Sequence, residues 1–451
     1  MSTTSTTPPG HVAPRGDRPQ EMRKVAVASC VGTTIEYYDF FIYGTAAALV
    51  FPTVFFPALG STAGTVASFA TFAVAFVARP LGAVLFGHFG DRLGRKRTLV
   101  TTLLLMGAAT VAIGLLPTAA AIGVLAPIAL VVLRFLQGLA VGGEWAGANL
   151  LTAEYAPVGK RGFYAVFPQL GPAFAFALSS ATFLVSDAVL GTTDGAFLSY
   201  GWRIPFIASA LMVAVGLYIR ISIEETPAFR AEAERADRAE DVAGAKRPLP
   251  FVEVVRQQPL EILLSAGLMS VLFGFFYMGT AYLTAYGTTP EGAALDRQFV
   301  LSTGIVAALA LGVATLAGGV WSDRVGRRPV IITSGVLALA WSLVLFPLLD
   351  TDTPLAFAAG VVVTLAIFGL AFGPVGAYLP ELFETRFRYT GAGAGYNLGG
   401  VLGGAVPPLL APGLTASYGS IAVGVMLALL AVLSIACTVA LRGRTRMAVA
   451  G

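Results

Sequence analysis

Residues Gly87–Arg97 read Gly-His-Phe-Gly-Asp-Arg-Leu-Gly-Arg-Lys-Arg, a short, strongly basic stretch with one acid, set between two long apolar runs. The same skeleton returns as Gly319-Val-Trp-Ser-Asp323-Arg324-Val-Gly326-Arg327-Arg328. Each copy has a glycine, three residues, Asp-Arg, one residue, a second glycine and then two basic residues. Asp91 maps onto Asp323 at an offset of 232 in a chain of 451 residues. This is the mark of a duplicated unit, with one basic loop at the equivalent point of each copy. A second pattern agrees. Glu154 is followed seven residues on by Arg161, and Glu381 by Arg388, at an offset of 227.

The runs around these loops identify the solvent. Apolar residues make up 56% of the chain and charged residues 12%, against roughly 25% charged in a soluble domain. Such a composition belongs to a chain that crosses a lipid bilayer many times. The net charge of +4 is no nucleic-acid signal, because the basic residues sit in short gaps between apolar runs. Two histidines and two cysteines, Cys30 and Cys437, are too few and too scattered for a metal centre, and no metal or cofactor is expected. No nucleophile–base signature is present either, so an enzyme is not expected.

A spanning helix needs about 20 mostly apolar residues. That rule predicts an all-α polytopic membrane protein with twelve spans near 25–51, 63–87, 98–116, 125–154, 162–186, 203–222, 260–286, 299–321, 328–349, 354–381, 389–412 and 419–441. The domains follow: a disordered tail (1–24), a six-helix bundle (25–222), a mixed-charge linker (223–258), a second six-helix bundle (259–441) and a short tail (442–451). Arginine and lysine collect in alternate gaps, at Arg92, Arg95, Lys96 and Arg97, Lys160 and Arg161, Arg324, Arg327 and Arg328, and Arg386 and Arg388. The opposite gaps carry almost none. The positive-inside rule then places both termini in the cytoplasm.

Gly32-Thr-Thr-Ile-Glu36-Tyr-Tyr-Asp39-Phe-Phe-Ile-Tyr43-Gly44, Ala78-Arg79-Pro80-Leu-Gly82 and Arg134-Phe-Leu-Gln137-Gly138-Leu-Ala-Val-Gly142-Gly143-Glu144, together with the duplicated loop, carry a resemblance. The chain resembles the major facilitator superfamily and, within it, the metabolite:proton symporters, whose members carry proline/betaine, 2-oxoglutarate, citrate or shikimate. Gly201-Trp202-Arg203-Ile-Pro205-Phe206 and Glu224-Glu225-Thr226-Pro227 fit the same group. The resemblance implies two pseudo-symmetric six-helix halves in the inner membrane. It also implies proton-coupled uptake of a small polar metabolite, a carboxylate or betaine. The glycine rows of spans 4 and 11 read as close packing within one molecule, so a working monomer is expected, with a homodimer as the alternative. A proton-coupled exporter of the same fold and a non-transporting receptor are the alternatives. Gly171-Pro172 matches only part of the exporters' motif.

Ionisable side chains at bilayer depth are costly and mark function. They are Glu36 and Asp39 in span 1, Arg79 in span 2, and Arg134 and Glu144 in span 4, all in the first half. Glu36 and Asp39 share a helix face, with Tyr43 one turn beyond; Arg134, Gln137 and Glu144 share another. A buried arginine needs a counter-charge, and Asp39 or Glu36 can supply it to Arg134 as a proton switch. The resemblance assigns the proton-coupling aspartate and arginine to Asp39 and Arg134, with Glu36 and Glu144 accessory. Arg79 can grip a carboxylate bidentately. With Tyr43, Gln137, Tyr277, Tyr396 and Asn397 it makes the expected substrate wall. The expected cytoplasmic gate comprises Gly87, Asp91, Arg92, Gly94, Arg95 and Lys96, their counterparts Asp323, Arg324 and Arg327, and the pairs Glu154–Arg161 and Glu381–Arg388. By resemblance, the first loop acts near the start of span 11, and Asp323 and Arg327 act near span 5.

Overall fold

Gly326 shows how the repeated stretch turns. Its φ of 91° lies in the left-handed region that a Cβ disfavours. One helix, Arg297–Val325, ends just before it, and the next, Arg327–Leu349, begins just after it. The first copy has the same plan, with helices Ser61–Leu93 and Arg95–Leu115 flanking Gly94. The expected loop over Gly87–Arg97 is therefore corrected. Its described residues, Gly87–Leu93 and Arg95–Arg97, are helical; in the second copy the one residue Gly326 is enough to reverse the chain.

The computed structural model describes residues 18–93, 95–142, 161–190, 194–222, 250–290, 292–384 and 387–442. Twelve principal helices run in chain order. They are α1 (Arg18–Leu49), α2 (Ser61–Leu93), α3 (Arg95–Leu115), α4 (Leu125–Val141), α5 (Arg161–Leu190) and α6 (Arg203–Ser222). The second half supplies α7 (Pro259–Thr288), α8 (Arg297–Val325), α9 (Arg327–Leu349), α10 (Pro354–Glu381), α11 (Arg388–Tyr418) and α12 (Ile421–Ala440). Several overrun their apolar windows. Helix α1 starts at Arg18 rather than 25, and α11 reaches Tyr418 rather than 412, because helical hydrogen bonding continues past the apolar core into polar residues. The expected end of span 4 at 154 falls outside the described residues. So does most of the linker, whose last part forms a short helix, Pro250–Gln257.

Local chemistry fixes several helix ends. The Asp296 side chain accepts from the amides of Gln298 (2.8 Å) and Phe299 (3.2 Å), capping α8. Thr353 accepts from the Ala356 amide before Pro354 opens α10. Arginines close other ends from neighbouring helices. Arg203 donates to the Gly114 and Leu116 carbonyls at the end of α3, and Arg328 to those of Thr438 and Val439 at the end of α12.

The duplication is also visible in packing. Helices α2 and α4 touch backbone to backbone, so that a Cβ built on Gly82 would stand 1.9 Å from the Leu139 oxygen, and one on Gly142 2.1 Å from that of Arg79. The equivalent pair in the second half, α8 and α10, does the same. An added Cβ would stand 2.0 Å from the Leu370 oxygen at Gly318 and 2.2 Å from that of Thr315 at Gly373. Helix α11 packs on α7 in the same way, a Cβ on Gly403 falling 1.9 Å from the Ser270 oxygen. Helix α7 is central, with every residue from Ser265 to Gly287 buried. Leu211 and Tyr218 on α6, Leu343 and Val344 on α9, and Leu429 and Val432 on α12 face outward, as lipid contact requires. Two π-helical segments, Met278–Tyr282 in α7 and Gly400–Ala405 in α11, interrupt the second half where it meets the first.

Candidate functional site

The buried charges gather on α1, α2 and α4, where these helices meet α7 and α11. Asp39, Arg79 and Arg134 are almost completely enclosed, with relative exposures of 1%, 2% and 0%. Both arginines lie against aromatic rings. The Arg134 guanidinium sits 4.0 Å from the Phe40 ring centre and 3.9 Å from that of Tyr43, and Arg79 sits 4.3 Å from Phe40 and 5.0 Å from Phe76. Cation–π contact of this kind supports a cation that water cannot reach. Phe40 thus serves two guanidiniums.

The expected direct pair of Asp39 with Arg134 is replaced by a relay. Asp39 Oδ2 accepts from the Thr110 hydroxyl at 2.8 Å. Thr110 Oγ1 in turn accepts from Gln137 Nε2 at 2.7 Å, and Gln137 Oε1 accepts from Arg134 Nη1 at 2.9 Å. The relay exists because Thr110 on α3 reaches in between α1 and α4. Gln137, expected in the substrate wall, has its amide engaged at both ends. Tyr43, also expected there, donates its hydroxyl to Thr71 at 2.7 Å and presents its ring to Arg134. Among the described residues, Asp39 Oδ1 and Arg134 Nε and Nη2 have no hydrogen-bond partner.

Around Arg79 the second half closes in. The Tyr37 and Tyr396 hydroxyls hydrogen-bond to each other, joining α1 to α11. Tyr277, Tyr37, Tyr396 and Glu36 all lie close enough to act on the Arg79 charge. The Arg79 charge acts on the Tyr277 hydroxyl, and among the described residues neither Arg79 Nε nor that hydroxyl has a hydrogen-bond partner. Asn397 donates to the Gly142 oxygen at 2.9 Å, tying α11 to α4. Phe72, Phe76 and Arg79 lie on one face of α2, a spacing that sequence reading could have used to find the cage. Thr110, one of several threonines on α3, gave no such signal.

At the basic end, Asp323 holds the start of α5. Its two carboxylate oxygens accept from the amides of Gly162 and Phe163, each at 2.9 Å. An acid at a helix N-terminus meets both free N–H groups and the positive end of the dipole. Arg327 donates to Asp323 at 2.8 Å and to the Ser322 oxygen at 2.9 Å, and its Nε lies 3.9 Å from Glu381. Arg324 is exposed, and Arg388 opens α11. Gly87 is helical within α2. Gly94, Glu144 and Glu154 lie outside the described residues, as do the side chains of Asp91, Arg92, Arg95, Lys96 and Arg161.

At the opposite end, a tie that sequence reading missed joins the same two helices. Arg297 donates to Asp187 Oδ1 at 2.8 Å and Gln298 to Oδ2 at 3.2 Å, with Arg297 lying 4.1 Å over Phe197. Arg297 also borders a recess of about 560 Å³ between the halves, lined by Thr53, Ser61 and Thr65 from the first and Thr288 and Thr289 from the second.

Two helical halves with buried charges and rings at their seam define a multi-pass membrane carrier of small molecules. A sequence model described as sugar (and other) transporter matches residues 24–445. The chain is 45% identical over 417 residues to the inner membrane metabolite transport protein YhjE of Escherichia coli K12, covering 91% of this chain and 92% of that one. It is 39% identical to the shikimate transporter of the same organism, covering 87% of each chain. It is 32% identical to the proline/betaine transporter of Salmonella typhimurium LT2, covering 87% of this chain and 77% of that one. Among solved structures, a D-xylose–proton symporter superposes with a TM-score of 0.71 at 17% identity, covering 94% of this chain and 98% of that one. The protein belongs to the major facilitator superfamily, in its sugar (and other) transporter family, and is a metabolite transporter rather than an enzyme.

Proposed function

We propose that the protein is a proton-coupled symporter that brings a small carboxylate into the cell by alternating access. In this reading it works as a monomer in the inner membrane, with its basic end and both termini in the cytoplasm. Asp39 carries the proton. Arg134 answers its charge state, and Arg79 with Tyr277 and Tyr396 receives the carboxylate. The observation that carries the reading is the set of enclosed polar atoms at the seam that have no hydrogen-bond partner among the described residues: Arg79 Nε, the Tyr277 hydroxyl and Asp39 Oδ1. Buried polar groups are rarely left unpaired unless function uses them. Arg79 Nε and the Tyr277 hydroxyl are donors that an anion would satisfy, and Asp39 Oδ1 is an acceptor that a proton would satisfy.

The substrates named for the relatives leave a carboxylate and a betaine open. The cage favours the carboxylate. A quaternary ammonium needs free ring faces, whereas Phe40, Tyr43 and Phe76 already face the guanidiniums of Arg79 and Arg134. The test is substrate-dependent alkalinisation of the medium by cells making the protein, run with shikimate, 2-oxoglutarate, citrate, proline and glycine betaine. Alkalinisation with a carboxylate and none with glycine betaine is expected. Acidification with a carried solute would mean export, and a response to betaine alone would overturn the substrate assignment.

A further inference from the structure

We propose that Thr110 is a positioning residue for proton coupling, a two-state hydroxyl switch that lets Asp39 take up and release its proton without leaving an unpaired group at the relay. The proposal rests on the reading of Asp39 as the proton carrier and deepens it.

Three polar atoms surround Thr110 Oγ1. They are Asp39 Oδ2 at 2.8 Å, the Met106 carbonyl oxygen at 2.9 Å and Gln137 Nε2 at 2.7 Å. A hydroxyl has one proton and two lone pairs. The Gln137 amide always donates, so it occupies one lone pair in every state. When Asp39 is ionised, the hydroxyl proton points to its carboxylate, the stronger, charge-assisted partner. When a proton arrives on Oδ2, that O–H donates to the second lone pair of Thr110. The Thr110 proton then rotates to the Met106 carbonyl. The Thr110 proton has an acceptor and the Gln137 amide keeps its lone pair in both states, and no heavy atom has to move.

The arrangement also fixes what Arg134 meets. Because Nε2 of Gln137 is held by Thr110, its Oε1 is held towards Arg134. The charge of Asp39 therefore reaches the arginine through a fixed hydrogen-bonded chain as well as through space. The charged and titratable groups around Asp39 are Arg134 from α4 and, on its own helix, Tyr38. Among the described residues, Thr110 is the polar contact from α3, and neither α5 nor α6 brings a charged side chain to the carboxylate. Asp39 Oδ1 has no hydrogen-bond partner there, so Thr110 is the one donor that the carboxylate has.

The test needs no substrate. Infrared difference spectra of the full chain in lipid, recorded while pH is stepped, report the protonated carboxyl band, and Asp39→Asn identifies it. In Thr110→Val, which keeps the shape and removes the hydroxyl, the pH at which the band is half-formed should be displaced by about one unit, tenfold in proton concentration. Thr110→Ser, which restores the hydroxyl, should return it. A simple packing role would leave the midpoint unmoved in Thr110→Val. If Thr110→Val does not reach the membrane, Thr110→Ala set against Thr110→Ser asks the same question. A band that Asp39→Asn removes but Thr110→Val leaves in place and unshifted would overturn the switch alone. A spectrum that Asp39→Asn does not change would overturn the proton-carrier reading beneath it.

Discussion

Removing the Asp323 carboxylate should loosen the basic end of the seam by a calculable amount. In the closed arrangement this acid from α8 accepts two amides of α5 at 2.9 Å each, and its side chain is 14% exposed. A hydrogen bond to a charged group contributes about 1.5–3 kcal/mol net, and an acid at a helix N-terminus a further 0.3–1 kcal/mol or so. Two bonds and the dipole give about 3.5 kcal/mol at the low end. Once the halves part, water can satisfy the freed amides and return roughly half of that. Asp323→Ala should therefore shift the balance towards the state open at the basic end by about 1.5–2 kcal/mol, ten- to thirtyfold. Asp323→Asn keeps an acceptor but loses the charge, and should fall in between. Hydrogen exchange at the Gly162 and Phe163 amides in the purified carrier reads this directly. Exchange should accelerate ten- to thirtyfold in Asp323→Ala, with amides in the middle of α9 as the unchanged reference. Exchange at the two amides equal to wild type would refute the assignment of Asp323 as an inter-half tie.

Other outcomes follow from the same geometry. Asp39→Asn should abolish proton-driven accumulation while counterflow exchange survives, measured with whichever labelled carboxylate the alkalinisation assay identifies; undiminished uphill uptake would sink the proton-carrier role. Arg79→Lys keeps the charge but loses the planar fork and its contact with Phe40 and Phe76, and should raise the KM for that substrate about tenfold or more. An unaltered KM would remove Arg79 from the binding wall. Gly403→Ala would place a methyl 1.9 Å from the Ser270 oxygen, forcing α11 off α7 at a cost of about 1–3 kcal/mol. Its thermal midpoint in detergent should fall by several degrees, and a wild-type midpoint would mean that α11 can slide without penalty.

The parts legible in the sequence were those written as linear patterns. The duplicated stretch, the apolar windows and the scarcity of charge were enough to reach a twelve-helix carrier, because each is a local count. The ends of α1, α2 and α11 were not, because backbone hydrogen bonding does not stop where apolar side chains do. Asp39, Arg79 and Arg134 stood out because a charge in an apolar run is conspicuous. Their partners did not. Phe40 resembles any other lipid-phase phenylalanine in a string of letters, and Thr110 becomes informative only when α3 is laid between α1 and α4. The tie between Asp187 and Arg297 spans 110 residues, and no local pattern pairs the two gaps that it joins. The π segments arise from how α7 and α11 meet the first half, which no local propensity encodes.

Helices α5 and α8 are fastened at both ends, by Asp323 with the Gly162 and Phe163 amides at one and by Asp187 with Arg297 at the other. At about 1.5 Å per residue these clasps stand roughly 40 Å apart, like two buttons on one placket. A rocking carrier that opens towards one side must undo one button while the other stays fastened. The two then act as opposing weights on a single balance. Asp187→Asn should tip the carrier the opposite way from Asp323→Asn, and the double variant should come back towards the wild-type distribution. If the two effects added instead of offsetting, α5 and α8 would move as one rigid strut, and the pivot would have to be sought between α2 and α11.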